Sequence, residues 1–202
     1  MIFTRLYVQG LFNSGSILRF SSTVKIIEIY TDGSCYNNGT PFAKGGYAVY
    51  FPGAEHPNIC KTNTQTYITS PRCEILAVQS ALSIYDTKMR GKTCNIYTDS
   101  MYIIDSLYRY SPVWRKNGWK KIDGTPVKNQ DLMKPLCELF EANKDYVSIK
   151  HVKAHSMKYD RHSLNNGVAD LLAKNGVYPC DLVIDALSKC SPLRGANDEL
   201  NK

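Results

Sequence analysis

No stretch of this 202-residue chain approaches the roughly 20 consecutive apolar residues that a helix needs to cross a bilayer, so no membrane span is expected. The seven cysteines, at positions 35, 60, 73, 94, 137, 180 and 190, are odd in number and contain no C-x-x-C pair or zinc-like spacing. That excludes a disulfide framework or a thiolate zinc site as the organising device and points to free thiols in a reducing compartment. Internal repeats and low-complexity tracts are also missing. Acid is scarce at the start: residues 1–25 carry three cations and no carboxylate, residues 26–178 net +5, and residues 179–202 net −1.

The overall balance of +7, with a pI near 9.0, creates a field that attracts polyanions, though many ordinary domains are this basic. In the first 25 residues, Arg5 and Arg19 stand among Ser14, Ser16, Ser21, Ser22 and scattered apolar residues. This is the composition of a mitochondrial presequence, with an address-free leader as the alternative. The expected organisation is a leader over 1–25, one domain over 26–178 and a tail over 179–202. The compartment is intracellular: mitochondrial if the leader is a presequence, otherwise cytoplasmic or nuclear.

Ile26, Ile27, Ile29 and Tyr30 read as a strand, Gly45 to Phe51 as its hairpin partner, and a weaker third strand is expected before Thr69. Ser70 and Pro71 predict a helix start, followed by Ile75, Val78, Leu82 and Tyr85 on one face. Cys94 to Thr98 reads as a strand, with Ser100 placed to cap the helix of Ile103, Ile104 and Leu107. Leu132, Leu136, Leu139 and Phe140 mark another helix, and Val147, Ile149 and His151 a last strand. A final helix is expected around Val168 to Ala173, ending near Gly176. This order describes an α/β domain, a mixed sheet with helices packed on its faces.

Two strands are expected to end on an aspartate, in Tyr30-Thr31-Asp32-Gly33-Ser34 and Tyr97-Thr98-Asp99-Ser100. In α/β sheets, ligands bind in the crevice beyond the carboxyl ends of the strands, so neighbouring strands would set Asp32 beside Asp99 there. The alternative is that each aspartate caps a turn or helix. Glu74 is expected in the first turn of the helix after Ser70, and Asp170 sits among Val168, Leu171 and Leu172. Three or four clustered carboxylates repel one another unless cations neutralise them. An all-oxygen set suits magnesium better than zinc. Two such ions about 4 Å apart can activate water and stabilise a leaving oxygen in phosphodiester hydrolysis. Arg115, Lys116, Lys120 and Lys121 interleave with Trp114 and Trp119 and meet no acid until Asp123. Such a segment suits a nucleic-acid backbone, with a solvated charged connection as the alternative.

Taken in order, these fragments resemble the type 1 ribonuclease H family over roughly residues 26–176. They are Asp32-Gly33-Ser34 with Asn38 and Gly45-Gly46, Arg72 before Glu74, Tyr97 to Ser100, and Trp114 with Gly118-Trp119-Lys120. Pro126 to Asn129, Val152 to His155, and Asn166 with Ala169-Asp170 complete the series. The resemblance implies a mixed five-stranded sheet with helices on both faces. It further implies a metal-dependent endonuclease that cuts the RNA strand of an RNA/DNA hybrid, leaving 5′-phosphate and 3′-hydroxyl ends. Asp32, Glu74, Asp99 and Asp170 would hold two Mg2+ ions, with Mn2+ as substitute, and His155 would handle water or product. Without the resemblance, His155 reads as a solvent-exposed loop residue. Asn38, Thr69, Arg72, Trp114, Arg115, Lys116, Trp119, Lys120, Lys121 and Asn129 would contact the hybrid. His56, His151 and His162 match no such position and read as structural or surface residues. Residues 1–25 are too few for a separate hybrid-binding module, and a monomer is expected. Rival readings are a DNA-processing relative of the same fold, or a hybrid-binding protein that has lost its chemistry.

Overall fold

The computed structural model describes residues 25–153 and 160–177. The leader apart from Lys25, the segment containing His155, and the tail from Tyr178 lie outside these residues.

A five-stranded mixed sheet forms the centre, in the order β3-β2-β1-β4-β5. Strands β1 (Ile27–Tyr36), β2 (Lys44–Tyr50) and β3 (Ile59–Asn63) make an antiparallel meander. Strands β4 (Cys94–Thr98) and β5 (Val147–His151) add in parallel on the other side of β1. The nearly continuous burial of β1 and β4 is what central strands covered on both faces require. Helix α1 (Ser70–Lys88) follows β3 and buries Ile75, Val78, Leu82 and Tyr85, the face expected from their spacing. After β4 come α2 (Met101–Asp105), a π-helical turn (Ser106–Tyr110) and α3 (Ser111–Lys116). Helix α4 (Gln130–Asn143) packs Leu132, Met133, Leu136 and Phe140 into the core shared with α1. Among the described residues, no helix is long and apolar enough to cross a membrane, and Cys35, Cys60, Cys73, Cys94 and Cys137 are free thiols.

The helices clasp the sheet from both faces. A Cβ at Gly33 would fall 2.2 Å from the backbone nitrogen of Glu74 in α1. A Cβ at Gly46 would fall 2.3 Å from the carbonyl oxygen of Ala173 in α5 (Arg161–Val177). Since Gly46 pairs with Ser34, whose side chain leaves the sheet opposite to Gly33, α1 and α5 lie on opposite faces.

Three expectations change. First, α5 begins at Arg161, well before Val168, because the mostly polar residues 161–166 form its first turns and Asp160 receives the Ser163 amide (3.0 Å) and hydroxyl (2.9 Å). Second, Asp32 lies inside β1: pairing with β4 stops at Tyr30↔Tyr97, while pairing with β2 continues to Tyr36↔Lys44. Third, Glu74 opens the second turn of α1, since Ser70 to Cys73 fill the first.

Candidate active site

Thr31 lies one residue past the last parallel pair, and its hydroxyl donates to the Tyr97 carbonyl at 3.0 Å, carrying the β1–β4 alignment onward. One step further along both strands come Asp32 and Asp99. Asp32 is 7% exposed, and burial is the main cause that pushes its carboxyl up to about 8. The charges of Asp99, then Asp170, then Glu74 add to the rise, and the Gly33 amide opposes it. Four carboxylates from β1, α1, the end of β4 and α5 therefore act on one another at a single place.

Glu74 reaches this place because Gly33 lets the backbone of α1 rest on that of β1. Burial raises its carboxyl and the charge of Asp99 adds to the rise, while hydrogen bonds from Ser100 and Ser70 hold it down. Ser100 Oγ donates to Glu74 Oε2, and Ser70 Oγ to Oε1 at 3.3 Å. The side chain of Ser100 thus serves Glu74 instead of capping α2. Asp170, half-buried on α5, accepts a hydrogen bond from Lys174 Nζ at 2.7 Å. Sequence reasoning missed these roles of Ser70, Ser100 and Lys174. The only signal was position: Ser100 adjoins Asp99, Ser70 precedes Glu74 by four residues, and Lys174 follows Asp170 by four.

Among the described residues, no three His, Cys, Asp or Glu side chains stand close enough to form a ready metal cage. Carboxylates that repel one another stand apart until a cation draws them in. The donor set nevertheless fits hard divalent ions. All four donors are carboxylates, and burial together with the neighbouring charges pushes one of them, Asp32, up to about 8.

On the flank of the site, Asn38 Oδ1 accepts the Ser70 amide at 3.3 Å, joining the β1–β2 turn to the start of α1. Thr69 stands at the N-cap of α1, its carbonyl accepting the amides of Arg72 and Cys73. Asn129 takes the left-handed conformation (φ 55°) at the start of α4, with its buried amide nitrogen lacking a partner among the described residues. Trp114, half-buried, lies 6.0 Å from Trp119 and 5.6 Å from Tyr110, centroid to centroid.

The sequence model of ribonuclease H matches residues 24–178. The chain belongs to the ribonuclease H family. It is 34% identical over 156 residues to a protein named Ribonuclease H from Rhizobium etli, covering 77% of this chain and 94% of that protein. It is 36% identical over 154 residues to one of the same name from Hahella chejuensis, covering 76% and 95%. Among solved structures, the PFV RNase H domain superposes with a TM-score of 0.61 at 26% identity, covering 75% of this chain and 94% of that one. The mixed five-stranded sheet is the ribonuclease H-like fold.

Of the residues expected to contact nucleic acid in this ribonuclease H family member, Arg72 and Trp119 are buried, and Arg115 is exposed but paired within the protein. The Arg72 guanidinium meets Asp131 with two hydrogen bonds (2.9 and 2.5 Å) and Gln65 with two more (3.2 and 3.0 Å), tying α1 to α4. Arg115 donates to the Cys137 carbonyl at 2.9 Å and pairs with Glu141 at 3.3 Å. Trp119 is 7% exposed and packs into the main core, its left-handed backbone (φ 62°) turning the ring inward. Lys116, Lys120 and Lys121 remain exposed. His155 lies outside the described residues.

Proposed function

We propose that this ribonuclease H hydrolyses the RNA strand of RNA/DNA hybrids with two Mg2+ ions, Mn2+ substituting, and leaves 5′-phosphate and 3′-hydroxyl ends. The observation that carries this reading is that Asp32, Glu74, Asp99 and Asp170 act on one another at one place in the fold, where burial first and then the charges of the other three push Asp32 up to about 8. Such a cluster costs folding energy and is worth keeping only where cations and a phosphodiester relieve it.

Asp32, Glu74, Asp99 and Asp170 would hold the ions; bound there, the ions supply a polarised water and a charge sink for the departing ribose oxygen. Ser70 and Ser100 hold the Glu74 carboxylate in one orientation by binding both of its oxygens. Lys174 steadies Asp170 while its charge is uncompensated. Asn38, Thr69 and Asn129 offer hydrogen-bonding groups to the duplex backbone, and Trp114 with Lys116, Lys120 and Lys121 extends the contact through an aromatic face and positive charge. His155 would assist product departure. The protein would act as a monomer inside the cell, where its thiols stay reduced. The leader would direct it to mitochondria if it is a presequence; otherwise the cytoplasm or nucleus is its compartment.

Incubation with magnesium and labelled hybrid, double-stranded RNA and double-stranded DNA tests the reading. Cleavage should be confined to the RNA of the hybrid, with 5′-phosphate ends. An Asp99→Asn variant should bind the hybrid yet cut it very poorly. Normal cutting by that variant would remove Asp99 from the site.

A further inference from the structure

Tyr30 and Tyr97 stand two residues before Asp32 and Asp99; by strand alternation Tyr30 faces the same side of the sheet as Asp32, and Asp99 follows directly on the end of β4. Their rings stack at 4.8 Å with 12° between planes, and Tyr30 is fully buried. Helix α5 seats on this pair along one face. His162 lies 4.6 Å from the Tyr97 ring, centroid to centroid, with Nδ1 hydrogen-bonded to the Tyr30 hydroxyl at 2.8 Å. Asn165 lies close enough to act on the same hydroxyl, and Ala169 shares one buried cluster with the two tyrosines. Positions 162, 165 and 169 follow helical spacing, and Asp170 is the next residue. Beside the stack, the Tyr97 hydroxyl donates to Glu28 at 3.4 Å, and Arg161 binds the same carboxylate at 2.5 and 2.9 Å.

The far end of α5 is fixed to other strands. Cys60 donates to the Leu172 carbonyl at 3.1 Å and Thr62 to that of Gly176 at 2.8 Å, both from β3. Those bonds fix the helix to the edge of the sheet, whereas Asp32 and Asp99 stand at its centre. The middle of α5 rests on β2 at Gly46 and Ala48, while its near end, on the tyrosine pair, is what refers Asp170 to side chains of β1 and β4 themselves.

We infer that His162 is a positioning residue: by clasping the Tyr30–Tyr97 stack, it sets Asp170 at the separation from Asp32 and Asp99 that a divalent ion requires. The inference rests on the four-carboxylate reading of the site. The sequence offered His162 only as a structural or surface residue; the fold gives it a route to the metal ligands.

The test compares His162→Phe, which keeps a ring on the stack but removes the nitrogen, with His162→Gln, which returns a hydrogen-bonding group. Mn2+ affinity of the hybrid-free protein is read from the electron paramagnetic resonance of the free ion. His162→Phe should weaken it about fivefold, the effect of about 1 kcal/mol for one hydrogen bond. His162→Gln should recover most of the loss. In hybrid cleavage, the Mg2+ concentration for half-maximal rate should rise by a similar factor, while kcat at saturating Mg2+ stays within about twofold. Wild-type Mn2+ affinity in a folded His162→Phe protein, judged by circular dichroism, overturns the inference. If that variant does not fold, Glu28→Gln decides, since it releases Arg161 at the surface: weaker Mn2+ binding supports the clasp and unchanged binding overturns it. A wild-type protein that binds Mn2+ but cuts no hybrid would sink the proposed activity and leave this comparison intact.

Discussion

Replacing Asp32 by Asn should make the metal-free protein more stable while abolishing cleavage. In the unfolded chain this carboxyl loses its proton near 3.8, and in the folded protein only at about 8. Between those limits the folded state binds more protons, so stability falls as pH rises from about 4 to about 8. Roughly four units at 1.36 kcal/mol each set a ceiling of about 6 kcal/mol on the cost of ionising Asp32 within the fold. An amide escapes that cost but still needs hydrogen bonds in a buried setting, so the net gain should be about 1–3 kcal/mol at pH 8. Urea denaturation in a chelator at pH 5 and pH 8 measures it: the variant's advantage should be small at the lower pH and widen at the higher. Added Mg2+ should then stabilise the wild type far more than the variant, because only a protein that binds the ion gains from it. A variant no more stable than wild type at pH 8, or an advantage independent of pH, would refute the reasoning.

Arg72→Met should lower stability by about 1–2 kcal/mol in thermal melts, because the lost partner Asp131 is largely exposed. It should leave the salt dependence of hybrid binding unchanged. Neutralising Lys116, Lys120 and Lys121 together should reduce the slope of log affinity against log salt by up to about 2.7, at about 0.9 per phosphate contact. An unchanged slope would remove these lysines from the interface. Gly33→Ala would drive a methyl group into the α1 backbone at Cys73 and Glu74, so a loss of about 3 kcal/mol is expected, with weakened magnesium-dependent cleavage in whatever remains folded.

What could be read from the sequence was the part governed by local periodicity. The strand of Ile27 and Ile29, the apolar face of α1 and the Thr-Asp ending of β4 all follow from neighbours in the chain. The extension of β1 to Tyr36 was hidden, because it depends on hydrogen bonds to β2 that outlast those to β4. The first turns of α5 were hidden too, since residues 161–166 are mostly polar and are held by Asp160, Glu28 and two tyrosines from other strands. Arg72 resembled a contact residue until its partner appeared 59 positions away in Asp131. Trp119 likewise looked like a surface group in a basic stretch, and the core claimed it.

The glycines at 33 and 46 let helices on opposite faces rest on bare main chain, with no side-chain torsion between sheet and helix. Spacing set through side chains can drift as rotamers change or as a neighbour is replaced by one of another size. Spacing set by peptide against peptide has no such slack. Repacking the hydrophobic interior around the hairpin therefore leaves the seats of α1 and α5 on the sheet where they are, and the finer placement of their carboxylates is left to side chains.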